Sequence, residues 1–213
     1  MKNMIKEYIN NDIKLEKERV IGITALIITL SGVIGWLYEV LFYYLESGFK
    51  NIYFRGGNFL PWINIYAIGA LLIIGLTYKF RKKPLLVFLV SMISTGVLEL
   101  ISGYLAYGVF HMVKCWDYNV ERFSGFTIGG YVCIRSVICF GLSGLLLMYL
   151  ILPLLIRLSL KFDKKKFMVV SLIICSVFLL DELYNQIFTK VFGLPRASSI
   201  YKKLGIKYKY FNY

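Results

Sequence analysis

Apolar residues fall in five blocks along the chain, parted by short polar segments. Residues 1–19 are polar, and Val20 opens an apolar run that continues to Leu45. A second run extends from Pro61 or Ile65 to Phe80 and is closed by Lys79, Arg81, Lys82 and Lys83. Pro84 opens a third that reaches about Tyr107, Tyr131 to Leu158 contains a fourth, and Phe167 to about Phe188 is the fifth. A helix needs about 20 apolar residues to cross the hydrocarbon core of a bilayer. The pattern therefore predicts an all-α, polytopic membrane helix bundle of about five transmembrane helices. No small-residue cleavage site follows a short apolar core, so the first run reads as a retained signal-anchor helix. The expected organisation is an N-terminal segment (1–19), a transmembrane domain (20–192) and a basic, aromatic tail (193–213). Pro153 is expected to kink or end the fourth helix. Met4, Tyr8 and Leu15 share one face of an expected interfacial helix before the first span.

Composition sharpens this picture. The chain is 58% hydrophobic with a mean hydropathy of +0.67. Many of its tyrosines and tryptophans sit where apolar runs end, as in the interfacial belts of membrane proteins. A net charge of +13 would point to nucleic acid in a soluble protein. Here most lysines and arginines lie between or outside the spans, where orientation signals and anionic-lipid contacts belong. Membrane lipids are thus the expected partners, and nucleic acid is not. The four cysteines form neither a CxxC pair nor a Cys/His metal spacing. Cys139 and Cys175 read as small core residues, and a Cys115–Cys133 disulfide is not expected. With His111 as the single histidine, no multi-His metal site and no cofactor are expected.

Charge also sets orientation. Fourteen Lys and Arg residues lie in the N-terminal segment and in the connections after spans two and four. Only Lys50, Arg55, Lys114 and Arg122 lie in the other two connections, so the positive-inside rule predicts a cytoplasmic N-terminus. Five spans then place the tail outside, despite the six basic residues from Lys190 onward, with Ile200–Tyr213 resting on a lipid surface.

Ionisable residues inside spans cost several kcal/mol unless they have a partner or a water-filled cavity. Glu39 lies in span one, Glu99 in span three, Arg135 in span four, and Asp181 with Glu182 in span five. At about 1.5 Å per residue, Glu99 and Asp181 both rise roughly 20 Å from the inner edge, with Glu39 and Arg135 near the same level. The sequence thus predicts one polar cluster in the outer half of the membrane, in which Arg135 pairs with Glu99, Glu39 or Asp181. The cluster is either a functional cavity or a structural clamp. Glu39 alternatively reaches to the surface, and Glu182 faces water. The 46–60 and 108–128 loops would roof the cluster, bringing Arg55 from the first and Trp116 and Asp117 from the second.

Gly35-Trp36-Leu37-Tyr38-Glu39, Arg55-Gly56, Glu99, Trp116-Asp117-Tyr118, the glycine-rich lead-in to span four with Pro153 near its end, and Asp181 occur in an order that resembles the CmpB-like family. These are small bacterial multi-span membrane proteins bearing an ABC-transporter permease label. The resemblance covers roughly residues 25–185 and implies a multi-pass protein of the bacterial cytoplasmic membrane. The chain has no Walker A loop for ATP phosphates, so a transporter role implies a separate ATPase subunit. The leading expectation is a permease-like component that uses the acidic cluster for a cationic or zwitterionic solute. The alternatives are a non-transport binding or regulatory membrane protein and, third, an enzyme at the outer leaflet using Glu39, Glu99, Asp117 or Asp181. No nucleophile–base pair supports the third, and no catalytic residue is assigned.

Overall fold

The computed structural model describes residues 8–9, 13–109 and 116–207. Five apolar helices form the bundle: α1 (Lys17–Glu46), α2 (Asn64–Phe80), α3 (Pro84–Val109), α4 (Ile134–Lys161) and α5 (Lys164–Val191). All but α2 are long and apolar enough to cross a membrane, and α2 is a shorter apolar helix. A short helix, α6 (Ala197–Lys203), follows. Thr127–Ile128 (β1) and Val132–Cys133 (β2) pair antiparallel just before α4.

The fold is an all-α membrane bundle, and α3 shows why. Leu85, Leu89, Ile93, Val97 and Ile101 recur every four residues on its exposed face. The face turned to the bundle carries Val87, Ser91, Thr95, Glu99 and Gly103. In lipid there is no reward for hiding aliphatic groups, so small and polar residues take the contacts between helices. A water-soluble helix would show the reverse.

Helix α1 is the hub, packing against α2, α5 and the second half of α4, while α3 lies between α2 and the first half of α4. The apolar core gathers at the end holding the α2–α3 and α4–α5 connections. Ile23, Ile27, Ile73, Val87, Met148, Leu152 and Phe167 are buried there. Tyr8 is buried among them, its carbonyl accepting from Arg81 Nε at 3.1 Å. It therefore packs into the bundle rather than facing lipid, while its expected partner Met4 lies outside the described residues. The opposite end carries the 46–60 loop, residues 116–128 of the second loop and most of the buried charge among the described residues.

Pro153 does not stop α4. The helix continues to Lys161, with a π-helical turn at Leu147–Ile151 immediately before the proline. Proline has no N–H for the carbonyl four residues back, and widening the preceding turn accommodates that loss. Similar π turns occupy Tyr104–Val109 in α3 and Tyr184–Phe188 in α5.

The described part of the tail folds onto the first loop. Tyr201 Oη donates to the Phe59 carbonyl at 3.0 Å, and Phe54 N donates to the Lys207 carbonyl at 2.8 Å. The tail and the 46–60 loop therefore occupy the same end of the bundle. Residues 208–213 lie outside the described residues.

Candidate functional site

The first loop is seated by aromatic anchors. Trp62 lies against Gly32 of α1, its Nε1 donating to the Ile28 carbonyl at 3.2 Å. One turn further along, the Tyr66 ring covers Gly35, where an added Cβ would sit 2.1 Å from the ring. Glycine is needed there because nothing larger lets the ring lie on the helix backbone. The loop then returns Arg55 to α1. Its Nε donates to Glu39 Oε2 at 2.6 Å, and its guanidinium lies 4.3 Å from the centre of the Tyr43 ring. Glu39 is thus held by a cation from the loop and does not reach to the surface.

Arg135, from the first turn of α4, does not pair with Glu39, Glu99 or Asp181. It takes Glu121 of the second loop, Nη2 to Oε2 at 2.6 Å, and its Nη1 donates to Tyr38 Oη at 2.9 Å. Its guanidinium also lies 3.8 Å from the centre of the Phe42 ring. The physical reason is reach: an α4 lead-in folded back by the short hairpin brings the loop carboxylate over the helix end. Burial raises the Glu121 carboxyl above the ordinary carboxylate range, opposed by the Tyr43 hydrogen bond and the Arg135 charge.

Glu99 is 5% exposed and accepts from two neutral donors, Tyr118 Oη and Ser136 Oγ, the latter at 2.8 Å. It forms no ion pair among the described residues. Asp117 is buried, and its Oδ1 accepts from Asn119 N at 3.0 Å. Trp116 Nε1 donates to the Tyr131 carbonyl at 2.9 Å, bracing the second loop on the hairpin.

Asp181 stands apart from the group around Glu99. It caps the backbone of the first loop, accepting from Phe59 N at 3.1 Å and Leu60 N at 2.6 Å. Beside it Glu182, half-buried, accepts from Asn58 and Asn64 side chains at 2.6 and 2.7 Å, which ties it to the first loop. Asn185 continues the clasp, donating to Asp181 and accepting from Ala197 N at 2.8 Å. The single cluster expected from depth alone is therefore two assemblies. Glu39, Arg55, Glu99, Arg135, Trp116 and the loop residues form one, and Asp181 with Glu182 fastens the loop and tail.

The first assembly roofs a hollow. A cavity of about 270 Å³ lies between α1, α2, α3 and α4, with walls that include Ile34, Ala70, Ile73, Phe140 and Leu147. A small polar pocket of about 40 Å³ adjoins it, bordered by Glu39, Glu99, Arg135 and Trp116. Tyr38, Tyr66 and Tyr118 line both spaces. Each donates to or accepts from a different charged residue: Tyr38 with Arg135, Tyr66 with Glu39 at 3.2 Å, and Tyr118 with Glu99. Tyr66 and Glu121 were not singled out by the sequence, and Tyr38 and Tyr118 entered only as members of the motifs that carry the family resemblance, beside Glu39 and Asp117. Among the described residues, no three His, Cys, Asp or Glu side chains converge to hold a metal ion.

An apolar hollow under a hydrogen-bonded charged roof, inside a bundle of membrane-length helices, defines a polytopic membrane protein with an internal amphipathic site. Residues 26–185 match the family model described as "Putative ABC-transporter type IV". The chain belongs to that family of ABC-transporter-related membrane proteins. No curated protein and no solved structure gives a significant match to it.

Proposed function

We propose that this chain is the permease-type membrane subunit of an ABC transporter, and that the cavity with its charged roof is its solute site. One observation carries the reading: an apolar cavity of about 270 Å³ meets, across three tyrosines, a pocket bordered by Glu39, Glu99 and Arg135. Ligand sites combine mostly apolar walls with a few placed polar groups, and ionisable residues within membrane spans mark transport pathways. The family's transporter name favours the same role. The excess of basic residues in the N-terminal segment and in the connections after α2 and α4 favours a cytoplasmic placement of that end. That end would meet a separate ATPase. The roof then lies in the outer half of a bacterial cytoplasmic membrane.

A second reading is a non-transport binding or regulatory membrane protein, in which the charged roof is a clamp. The internal pairing of Arg135 with Glu121 and of Arg55 with Glu39 favours it. Purification of the N-terminally tagged protein in mild detergent, followed by mass spectrometry, separates the two. Recovery of a nucleotide-binding ATPase at fixed ratio is the expected result. Repeated purification without any ATPase defeats the permease reading.

A further inference from the structure

We infer that the cavity takes the acyl chain of a membrane lipid with a primary-amine head, which enters sideways between α1 and α4 and places its ammonium on Glu99. This rests on the reading of the cavity as a ligand site and names the ligand class.

Three observations on different parts of the molecule carry it. The first is the mouth. Helix α1 packs against Leu152–Lys161 of α4 but barely against its first half. Ile34 of α1 and Ser143 and Leu146 of α4 line the cavity and are exposed, so the opening lies on the flank of the bundle. Around that opening Leu37, Ile138 and Leu142 are also exposed, a surface suited to hydrocarbon rather than water. A solute reaching this mouth comes from the lipid phase. The second is size. Sites for drug-sized ligands start at ~300 Å³, so a cavity of about 270 Å³ suits a single chain and not a whole two-chain lipid.

The third is charge. Glu39 is matched by Arg55 and Glu121 by Arg135, whereas Glu99 accepts from two hydroxyls and forms no ion pair among the described residues, its pocket neighbour Arg135 being engaged by Glu121 and Tyr38. A carboxylate has about four lone-pair positions, so two remain for a cation. A buried carboxylate that lacks an ion-pair partner is costly, and an ammonium from the ligand would offset that cost. Glu99 borders the small pocket, and its donors Tyr118 and Ser136 border the cavity. Head and chain subsites are therefore contiguous across a single layer of side chains.

Cys139 lines the cavity and serves as the reporter. In the full chain with Cys115→Ser, Cys133→Ser and Cys175→Ser, Cys139 is the one thiol left. Its alkylation by N-ethylmaleimide is followed by intact mass in detergent micelles. Cys133 caps α4 by accepting from Ser136 N, a role serine fills equally well. Added dioleoyl phosphatidylethanolamine is expected to slow alkylation about fivefold, as ~80% occupancy of a single site would. Dioleoyl phosphatidylglycerol and free ethanolamine are expected to leave the rate nearly unchanged. Glu99→Gln should bring phosphatidylethanolamine down to the level of phosphatidylglycerol. Ser143→Trp, at the mouth and away from the roof, should abolish protection by phosphatidylethanolamine. Equal protection by both lipids, protection by free ethanolamine alone, no protection at all, or an unchanged preference in Glu99→Gln overturns the assignment. The readout needs no ATPase, so its outcome is independent of whether the chain proves to be a permease subunit.

Discussion

Glu121 joins two helices that otherwise barely meet at that end: it accepts from Arg135 of α4 at 2.6 Å and from Tyr43 Oη of α1 at 2.5 Å. Both its oxygens are occupied, and its side chain is fully buried. Removing one partner strands the other in a poorly solvated place, which costs about 3 kcal/mol for buried pairs. Glu121→Gln and Arg135→Gln should each lower stability by about that amount. The double variant should cost clearly less than the sum of the singles. Denaturant unfolding of the detergent-solubilised protein measures all three, and strictly additive losses would show that the two residues do not act as a pair.

Gly35 and Gly75 offer a contrast on neighbouring helices. An alanine at Gly35 drives its Cβ into the Tyr66 ring, and the ring cannot yield without releasing Glu39. Overpacking of this kind costs about 1–3 kcal/mol. Gly75 has open space within 4 Å, so alanine there should be neutral or stabilise α2 by up to about 1 kcal/mol through helix propensity. Thermal unfolding of the two variants should move in different directions.

Asp181 holds the first loop by its backbone amides. Asp181→Ala removes the acceptor for Phe59 N, Leu60 N and Asn185 Nδ2 together. Limited proteolysis should then cut within residues 48–57 several times faster, on the order of the change that losing ~1 kcal/mol of local protection produces. The same variant should cut the α4–α5 connection at the wild-type rate. Equal acceleration at both sites would indicate global unfolding instead.

Asp163 gives the fold a pH dependence at its other end. Its Oδ1 accepts from Lys166 N and Lys165 N at 3.0 and 3.1 Å, capping α5. These amides, with the charges of Lys166 and Arg19, hold its carboxyl below the ordinary carboxylate range. The folded protein therefore binds that proton less readily than the unfolded chain does. The cap's contribution is complete above the unfolded titration range and is lost as pH falls through the depressed one. Wild type should lose melting temperature relative to Asp163→Ala on acidification, and a constant difference from neutral to strongly acid pH would contradict the cap.

Much of the bundle was legible because hydrocarbon imposes a length on each helix and rejects charge. The expected span starts at Val20, Pro84 and Phe167 lie within three residues of the helix starts at Lys17, Pro84 and Lys164. Depth along each span also placed Glu39, Glu99 and Arg135 at a common level, and Arg55 and Trp116 beside them. Depth says nothing about azimuth, however. It could not reveal that Asp181 turns to the first loop while Glu99 turns to Tyr118 and Ser136. Nor could it match Arg135 to Glu121, because a loop residue has no depth until its turn geometry is known. The tyrosine layer was hidden for a different reason. Aromatic residues at span ends have an ordinary role at the membrane surface, and nothing in one-dimensional spacing separates that role from pinning an internal charge.

The widened turn at Leu147–Ile151 acts as a phase shifter within α4. An i to i+5 turn takes up one residue more than an ordinary turn, so everything beyond it is rotated by roughly 100° relative to an unbroken helix. Ahead of the turn α4 presents its small residues to α3, and beyond it the helix has swung round to α1. The hollow occupies the stretch where that swing has not yet happened. Its existence is then set by backbone angle more than by side-chain volume. Larger residues on its walls would narrow it, whereas taking one residue out of the Leu147–Ile151 turn would realign the two halves of the helix and erase the gap itself.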